Sequence, residues 1–427
     1  MHYFHYVNDE LYCEEVPISQ ICQDVGTPLF VYSRQTLERH FKIFQEPFHS
    51  ADHLICYSMK ACSNLAVLRL FANLGGGVDI VSGGELYRAL KAGVDPSRVV
   101  YSGVGKKASE MDEALIADIL LFNVESEEEL HVLDRRARAL GKRARIALRV
   151  NPDVDPQTHP YISTGLKKSK FGIDVDRSVG LYREALRMDG IEPLGVDCHI
   201  GSQVMELEPF LDAIDRIKEL IEILRADNVE VRYLDIGGGL GIPYGDEEVP
   251  PLPAAYGAAI LQRLANMNVT LILEPGRLLV GNAGILVTQV LYQKQGPAKK
   301  FVIVDAAMND LIRPSLYDAY HSVWKVSGNR ARTAHQDRII ADLVGPICES
   351  GDFLAQSREM EPVESGELLA LMSAGAYGFS MSSNYNSRPR AAEVLVDRDK
   401  YFVIRDRESY EDLIRGERIP QDFSKSR

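Results

Sequence analysis

Short runs of β-branched and aromatic residues alternate with helix-like hydrophobic patterns between residues 53 and 276. Apolar runs of about four to eight residues predict strands, whereas apolar residues spaced about three and four apart predict helices. Eight strands are predicted here, at His53–Lys60, Gly77–Ser82, Val99–Gly103, Ile119–Val124, Arg145–Asn151, Gly195–Ser202, Tyr233–Gly239 and Thr270–Gly276. Each precedes a helical or loop segment, which predicts a (β/α)8 TIM barrel, with a doubly wound parallel sheet as the alternative.

Capping residues mark the ends of several predicted helices. Ser63 is a candidate N-cap for a helix that ends before Gly75, and Ser126 with Glu129 forms a capping-box pattern. A side-chain oxygen at the N-cap accepts a backbone N–H that the helix itself leaves unpaired.

The pattern changes after about residue 285. Strand-like runs follow one another with few helical segments, at Ile285–Tyr292, Phe301–Asp305, Arg338–Val344, Glu367–Met372, Ala392–Val396 and Tyr401–Arg405. We predict a second, mostly antiparallel β domain of sandwich or barrel type. A hairpin that turns at Asn8-Asp9 is expected to join it, so that the barrel spans 26–284 and the β domain 1–25 and 285–427.

Composition and charge narrow the function classes. The 427 residues carry a formal net charge of −13, which disfavours nucleic-acid and membrane-surface partners. The basic stretch from Arg135 to Arg149 fits the solvated face of a helix that runs into a strand. The six cysteines form no CxxC pair, so we expect free thiols and no metal site. With no signal peptide or apolar span in the sequence, a cytoplasmic protein is expected.

Several predicted strands end in groups that carry chemistry. The carboxyl ends of barrel strands form the active-site face, and Lys60, His199, Glu274 and Arg277 stand there with the glycine run 237–239. Taken singly, each is more often structural: a solvated lysine, a core histidine, a surface ion pair or a tight turn. Their convergence on one face makes them a candidate site.

The residue types at this face suit one particular cofactor. Glycine turns leave backbone N–H groups for a phosphate, and Arg277 suits the same anion. A desolvated lysine can form a Schiff base, and a carboxylate can hold a pyridine nitrogen in its protonated form. Pyridoxal 5′-phosphate, an electron sink for carbanions, combines these requirements. A dinucleotide site fits less well, because the GxGxxG fingerprint is absent at the first βα turn.

Three segments of the predicted β domain are also dense in reactive groups. Arg313 and Tyr317 stand within 305–317, Cys348 lies beside Glu349, and Tyr377 lies between glycines. Loops that hold such groups are functional more often than core segments are. The alternative for Cys348 is a buried free thiol.

These residues lie in motifs through which the sequence resembles the fold-type III pyridoxal-phosphate-dependent decarboxylases, in particular the branch that acts on diaminopimelate. The resemblance runs from about Gly26 to Val396, and Ser58 and Cys62 replace the Ala and Asn common in the family. Its motifs are YSMK, GGGVDIVSGGEL, YSGVGK, HPYISTGLKKSKFGI, CHIGSQ, DIGGGLG, EPGR, DAAMNDLIRPSLYDAY, GPICES and AGAYGFSMSSNYNSRPR.

The resemblance implies decarboxylation of meso-2,6-diaminopimelate to L-lysine, the last step of bacterial lysine biosynthesis. Lys60 would form the Schiff base, His199 would stack on the ring, Glu274 would hold its nitrogen, and Cys348 would donate a proton. The implied cofactor contacts are Lys60, His199, Ser202, Gly239, Glu274, Gly276, Arg277 and Tyr377. The implied substrate contacts are Arg277, Arg313, Tyr317, Glu349 and Tyr377. A homodimer is also implied, in which Cys348 and Glu349 reach the neighbouring subunit's site.

The chemistry of this substrate suits the implied contacts. Its distal carboxylate matches the guanidinium fork of Arg313, and its distal ammonium matches Glu349. Ornithine lacks that carboxylate and would leave a buried Arg313 unpaired, at a cost of about 3–5 kcal/mol. The alternatives are a sister enzyme for another substrate, such as ornithine, lysine, carboxynorspermidine or a carrier-bound amino acid, and a non-catalytic homologue. Such homologues usually lose the lysine or the thiol, and both are present here.

Overall fold

The computed structural model describes residues 2–155, 170–245, 247–327 and 338–420. Most of the motif HPYISTGLKKSKFGI lies outside the described residues. The chain forms two compact units. The first contains Arg34–Ala283 and Gly375–Ser380, and the second contains Tyr3–Ser33, Gly284–Ala374 and Met381–Arg427.

The second unit begins with a small antiparallel sheet. Asn8 and Asp9 both adopt positive φ angles, of 49° and 66°, and form the predicted two-residue turn. The elements of this segment are β1 (Phe4–Val7), β2 (Glu10–Cys13), β3 (Val16–Pro17), α1 (Ile18–Val25) and β4 (Leu29–Ser33).

The first unit is a closed parallel barrel. Its strands are β5 (His53–Ser58), β6 (Gly77–Ile80), β7 (Val99–Tyr101), β8 (Leu121–Val124), β9 (Ala144–Asn151), β10 (Ile173–Asp174), β11 (Ile191–Asp197), β12 (Tyr233–Asp235) and β13 (Thr270–Leu273). Its helices are α2 (Arg34–Gln45), α3 (Leu65–Asn73), α4 (Gly83–Ala92), α5 (Ala108–Ala117), α6 (Glu127–Ala139), α7 (Val175–Ala185), α8 (Glu208–Ala226), α9 (Pro253–Arg263) and α10 (Arg277–Val280). Eight strands close because β8 pairs with β9 and β13 with β5, while β10 only extends β9. This closure confirms the barrel over the doubly wound sheet.

The barrel interior changes from apolar to polar along the strands. Cys56, Val100, Leu121, Ala147 and Ile272 form a buried apolar cluster. Because side chains on one face of a strand repeat every second residue, the next inward position stands two residues further on. Those positions form a polar layer together with Asp79, Asp197 and Asp235 of the other three strands. Each barrel strand contributes one residue to this layer, either from the strand itself or from the position directly after it: Ser58, Asp79, Ser102, Asn123, Arg149, Asp197, Asp235 and Glu274.

The second unit is built on a mixed sheet. Its remaining elements are β14 (Gly284–Gln295), β15 (Lys300–Val304), α11 (Arg313–Tyr317), β16 (Val323–Lys325), β17 (Ile339–Val344), β18 (Phe353–Met360), β19 (Leu368–Leu371), β20 (Ala392–Asp397), β21 (Lys400–Arg405) and α12 (Tyr410–Leu413). The strand order is β18-β17-β15-β14-β4-β20-β21, with β19 also on β14 and β16 on β19. Most pairs are antiparallel, as predicted, and β15–β17 and β4–β20 are parallel.

The unit boundaries differ from the predicted ones at two places. Residues 26–33 belong to the second unit, because the buried strand β4 pairs there with β14 and β20. Residues 375–380 belong to the first unit, where the Tyr377 N–H donates to the Ala61 carbonyl over 2.8 Å. The residues that pair with these two segments lie far away in the sequence. Local sequence patterns therefore could not indicate which unit each segment joins.

Three details of the predicted elements are wrong. Asn64, not Ser63, caps α3, by accepting the Ala66 N–H over 2.9 Å. Arg149 is not solvated but lies inside the barrel, 3.2 Å from Glu125. The strands predicted to end at Lys60, Ser202, Gly239 and Gly276 end two to five residues earlier, so those residues stand in the following loops.

Two further observations concern helices. Ser126 caps α6 as predicted, by accepting the Glu129 N–H. Among the described residues, no helix is both long and apolar enough to span a bilayer.

A buried ion pair offers a test of barrel stability. The Lys106 ammonium donates to Glu129 over 2.7 Å and to the carbonyls of Gly103 and Asn123, and its side chain is fully inaccessible. Lys106→Met leaves Glu129 buried without its cation, so we expect a loss of about 3–5 kcal/mol in unfolding free energy. Lys42→Met is the control, because Lys42 is 65% accessible and 3.8 Å from Glu38. That variant is expected to lose less than about 0.5 kcal/mol.

The measurement is chemical denaturation followed by circular dichroism, because the single tryptophan, Trp324, lies in the second unit. Adding Glu129→Gln to Lys106→Met should recover part of the loss. Equal midpoints for Lys106→Met and Lys42→Met would contradict the assignment.

Candidate active site

One pocket at the carboxyl ends of the barrel strands brings the predicted cofactor residues together. It is a partly open pocket within the first unit. All eight predicted cofactor residues line it: Lys60, His199, Ser202, Gly239, Glu274, Gly276, Arg277 and Tyr377. The strand count placed seven of them on this face, and the return of residues 375–380 to the first unit adds Tyr377.

Lys60 follows β5 and is held by a carboxylate of the polar layer. Its Nζ donates to Asp79 Oδ2 over 2.6 Å and to Ser58 Oγ over 2.9 Å. Ser58 in turn donates to Asp79. Desolvation lowers the pKa of Lys60, but the charge of Asp79 outweighs it, so the net pKa is raised above its usual value. The amine is therefore protonated here, and Asp79 is the nearest base.

Glu274 stands at the end of β13, in the wall of the same pocket. Its carboxyl oxygen Oε1 accepts from Ser102 Oγ over 3.5 Å. Burial, and next the charge of Asp235, raise the pKa of Glu274 well above its ordinary value. A protonated Glu274 can donate a hydrogen bond to a basic ring nitrogen in the pocket.

His199 follows β11 and is neutral. Its Nδ1 accepts the Gly238 N–H over 3.3 Å, which leaves that nitrogen without a proton. Burial, together with the charges of Arg149 and Lys60, lowers the pKa of His199 well below its usual value. The imidazole is thereby fixed as a flat, uncharged wall of the pocket.

Arg277 and two glycine loops form one wall of the pocket. The guanidinium donates to Ser202 Oγ over 2.9 Å and to Tyr244 Oη over 2.6 Å, and it lies 5.0 Å from the Tyr377 ring centroid. Gly239 has a φ of +109°, and a Cβ there would lie 2.4 Å from the Gly201 carbonyl oxygen. Only glycine fits this close approach.

These residues fit pyridoxal 5′-phosphate. In the part of the chain that the structure describes, the N–H groups of Gly239 and Gly276 have no acceptor, although both residues line the pocket. Two N–H donors, a hydroxyl and a guanidinium suit a phosphate. Lys60 offers the amine for the aldehyde, and Glu274 offers the carboxyl for the ring nitrogen.

Comparison with known proteins agrees with this chemistry. The family profile described as "Pyridoxal-dependent decarboxylase, pyridoxal binding domain" matches residues 34–281, more than half of the chain. The chain belongs to the pyridoxal-dependent decarboxylases. The family predicted from the motifs is thus confirmed, and so is the dependence on pyridoxal phosphate.

Relatives of this decarboxylase resemble it over nearly their whole length. A diaminopimelate decarboxylase from Pseudomonas aeruginosa is 52% identical over 416 residues, which cover 97% of this chain and 99% of the relative. One from Aquifex aeolicus is 50% identical over 412 residues, 96% of each chain. A crystal structure of the Helicobacter pylori enzyme complexed with L-lysine is 42% identical, with a TM-score of 0.89 and coverage of 93% and 98%.

Arg313 and Tyr317, two of the predicted substrate residues, stand on α11 in the second unit of the decarboxylase. Arg313 is only 6% exposed. It is therefore buried, as the predicted selectivity against ornithine requires. Its Nη1 lies 2.9 Å from Nε2 of His321, whose Nδ1 lies 2.8 Å from the Met372 carbonyl oxygen. Because Nδ1 must donate to that carbonyl, Nε2 accepts, and a neutral His321 orients the guanidinium. Tyr317 is half-buried.

Cys348 and Glu349 lie in the loop between β17 and β18. The alternative of a buried thiol is wrong, because Cys348 is the exposed one of six free cysteines. Its backbone N–H donates to Asn386 Oδ1 over 2.7 Å, and Tyr385 hydrogen-bonds to Glu349. Both residues are held by the 385–386 turn.

Sequence reasoning missed the polar neighbours of the predicted residues. Asp79, Asn123 and Asp235 lie in the barrel interior, and Asp79 and Asp235 even stand inside quoted motifs. The sequence did offer one signal for Asp79 and Asp235, namely an acidic residue at the carboxyl end of a barrel strand. The partners of such a residue, however, depend on which strands become neighbours.

Proposed function

We propose that this chain decarboxylates meso-2,6-diaminopimelate to L-lysine and CO2, with pyridoxal 5′-phosphate held on Lys60. The observation that carries this proposal is the pocket lined by all eight cofactor residues, in a chain about 50% identical to diaminopimelate decarboxylases. Pyridoxal 5′-phosphate condenses with amines and accepts the electron pair that a departing carboxylate leaves behind. A biosynthetic reaction on small amino acids suits a cytoplasmic enzyme.

The barrel residues would divide the work of holding the cofactor. Lys60 must lose a proton before its amine attacks an aldehyde, and Asp79 Oδ2 at 2.6 Å is placed to take that proton. Ser202, Gly239, Gly276 and Arg277 would hold the phosphate. His199 would lie against the ring as a neutral imidazole, and Tyr377 would contact the cofactor while it stacks on Arg277.

The second unit would supply substrate recognition and a proton. Arg313 would bind the distal carboxylate, Glu349 the distal ammonium, and Tyr317 would add a hydroxyl, while Arg277 and Tyr377 would also contact the substrate. Cys348 would protonate the α-carbon after CO2 leaves, because a positioned thiol can act as a general acid. Cys348 and Glu349 are exposed in the single chain, which suits groups that a second copy covers in a homodimer with shared sites.

Reduction with borohydride tests the covalent link. We expect the cofactor-loaded protein to lose its visible absorbance and to carry one stable label on the peptide that contains Lys60. Lys91→Ala, which removes an exposed lysine of α4, is the control and should label normally. A label that persists in Lys60→Ala would contradict the assignment.

Substitution of Arg313 tests the recognition of the distal carboxylate. Arg313→Met removes the guanidinium, so we expect kcat/KM for meso-diaminopimelate to fall roughly 10²- to 10³-fold. The weak activity expected on ornithine should not fall with it. Arg338→Met is the matched control, because Arg338 is 42% accessible and 3.8 Å from Glu359. If a folded Arg313→Met variant loses activity equally on both substrates, Arg313 does not recognise the distal carboxylate.

Subunit mixing tests the shared site. Lys60→Ala and Cys348→Ala chains should each be nearly inactive. In a two-fold dimer whose sites combine Lys60 of one chain with Cys348 of the other, a re-equilibrated equal mixture should regain roughly a quarter of wild-type activity. If each site used both residues from one chain, the mixture would stay inactive.

A further inference from the structure

The polar layer of the barrel contains a pair of carboxyl groups that must share a proton. Asp235 and Glu274 stand at the ends of the neighbouring strands β12 and β13, and they are 0% and 7% exposed. Their carboxyl groups lie close enough to each other for a hydrogen bond. In the ranges that the structure covers, neither forms an ion pair. Two carboxyl groups can hydrogen-bond only if one of them carries a proton.

The donors around the pair decide which group carries that proton. Asp235 Oδ1 accepts the Gly237 N–H over 2.9 Å, and its Oδ2 accepts from Asn123 Nδ2 over 3.1 Å. Among the described residues, the Ser102 hydroxyl is the one side-chain donor to Glu274, over 3.5 Å. Hydrogen bonds to a carboxylate favour its charged form. Asp235 is therefore the anion of the pair, and Glu274 is the acid.

Asn123 fixes the direction of this network. Its Nδ2 donates both to Asp235 and to Ser102 Oγ, the latter over 3.1 Å. Because Ser102 Oγ accepts from Asn123, its own proton points to Glu274. The chain of donors thus runs from Asn123 through Ser102 to Glu274 Oε1.

We propose that Asp235 is a positioning residue that keeps one proton on Glu274, so that the pocket offers this proton to the ring nitrogen of pyridoxal 5′-phosphate as it binds. This inference rests on the proposed function in one respect, that Glu274 faces the ring nitrogen. The transfer conserves charge: Glu274 becomes a carboxylate as the ring nitrogen becomes a cation, and Asp235 stays an anion throughout.

The other charged groups of the interior act in the same direction or are already paired. Asp79 binds Lys60, and Glu125 binds Arg149. Asp197 lies beside Asp235 in the strand register and has an oxygen without a partner. Burial raises the pKa of Asp235 to about 6, and it also raises the pKa of Glu274 well above its usual value. Cys56 and Cys198 are buried and stay neutral.

Infrared difference spectra of the full chain, recorded as pyridoxal 5′-phosphate is added at neutral pH, test this proposal. We expect the band of a protonated carboxylic acid to disappear on binding, and to shift when the protein is labelled with carboxyl-13C glutamate. Asp235→Asn should lower the pH at which the cofactor-free protein loses this band by at least about one unit. Asp197→Asn, the control, removes a neighbouring buried carboxylate outside the hydrogen-bonded pair and should shift the pH less.

Asn123→Ala provides a second variant should Asp235→Asn fail to fold. Without the Asn123 donor, Asp235 becomes a weaker acid and takes up part of the shared proton. Part of the carboxylic-acid band should then come from Asp235 and no longer shift with glutamate labelling. The proposal is overturned by a band that ignores glutamate labelling in the wild type, or by a pH midpoint that Asp235→Asn leaves unchanged. Failure of the wild type to form a Schiff base at Lys60 would instead count against the proposed function, and it would leave the pH titration of the cofactor-free protein unaffected.

Discussion

An excess of carboxyl groups over cations inside the barrel governs the chemistry of the pocket. Asp79, Asp197, Asp235 and Glu274 all belong to the polar layer, whose only cation, Arg149, is paired with Glu125. Burying an unpaired charge is costly, so such groups bind a cation or keep a proton. Asp79 takes the first course with Lys60, and the Asp235–Glu274 pair takes the second. The same imbalance therefore places a protonated amine and a protonated acid in one pocket.

Each unit carries a buried cation whose orientation is set by neutral groups. In the barrel, Arg277 is held by the hydroxyls of Ser202 and Tyr244. In the second unit, a neutral His321 accepts a hydrogen bond from Arg313. A guanidinium that is oriented in this way presents its N–H groups to a ligand anion. This arrangement suits a phosphate at Arg277 and a carboxylate at Arg313.

Much of this organisation could be predicted from hydrophobic patterns. All eight barrel strands formed near their predicted positions, and the residues at their carboxyl ends meet because parallel strands of a closed barrel share one face. Strand β4 and the Tyr377 segment were misassigned because their partners lie far away in sequence. The inward-facing positions of Arg149 and Asp235 could not be predicted without the strand register. The register and the pleat together decide whether a side chain points into the barrel. Roles such as that of Asn123 depend on hydrogen bonds among three strands, which no local pattern encodes.

The most direct test of the account is the release of CO2 by the purified, cofactor-loaded chain. With meso-diaminopimelate as substrate we predict equal amounts of CO2 and L-lysine. The value of kcat/KM should exceed that for L-ornithine or L-lysine by at least roughly a hundredfold, because only the first substrate pairs the buried Arg313. Turnover of ornithine with equal efficiency, or no CO2 from meso-diaminopimelate, would contradict the account.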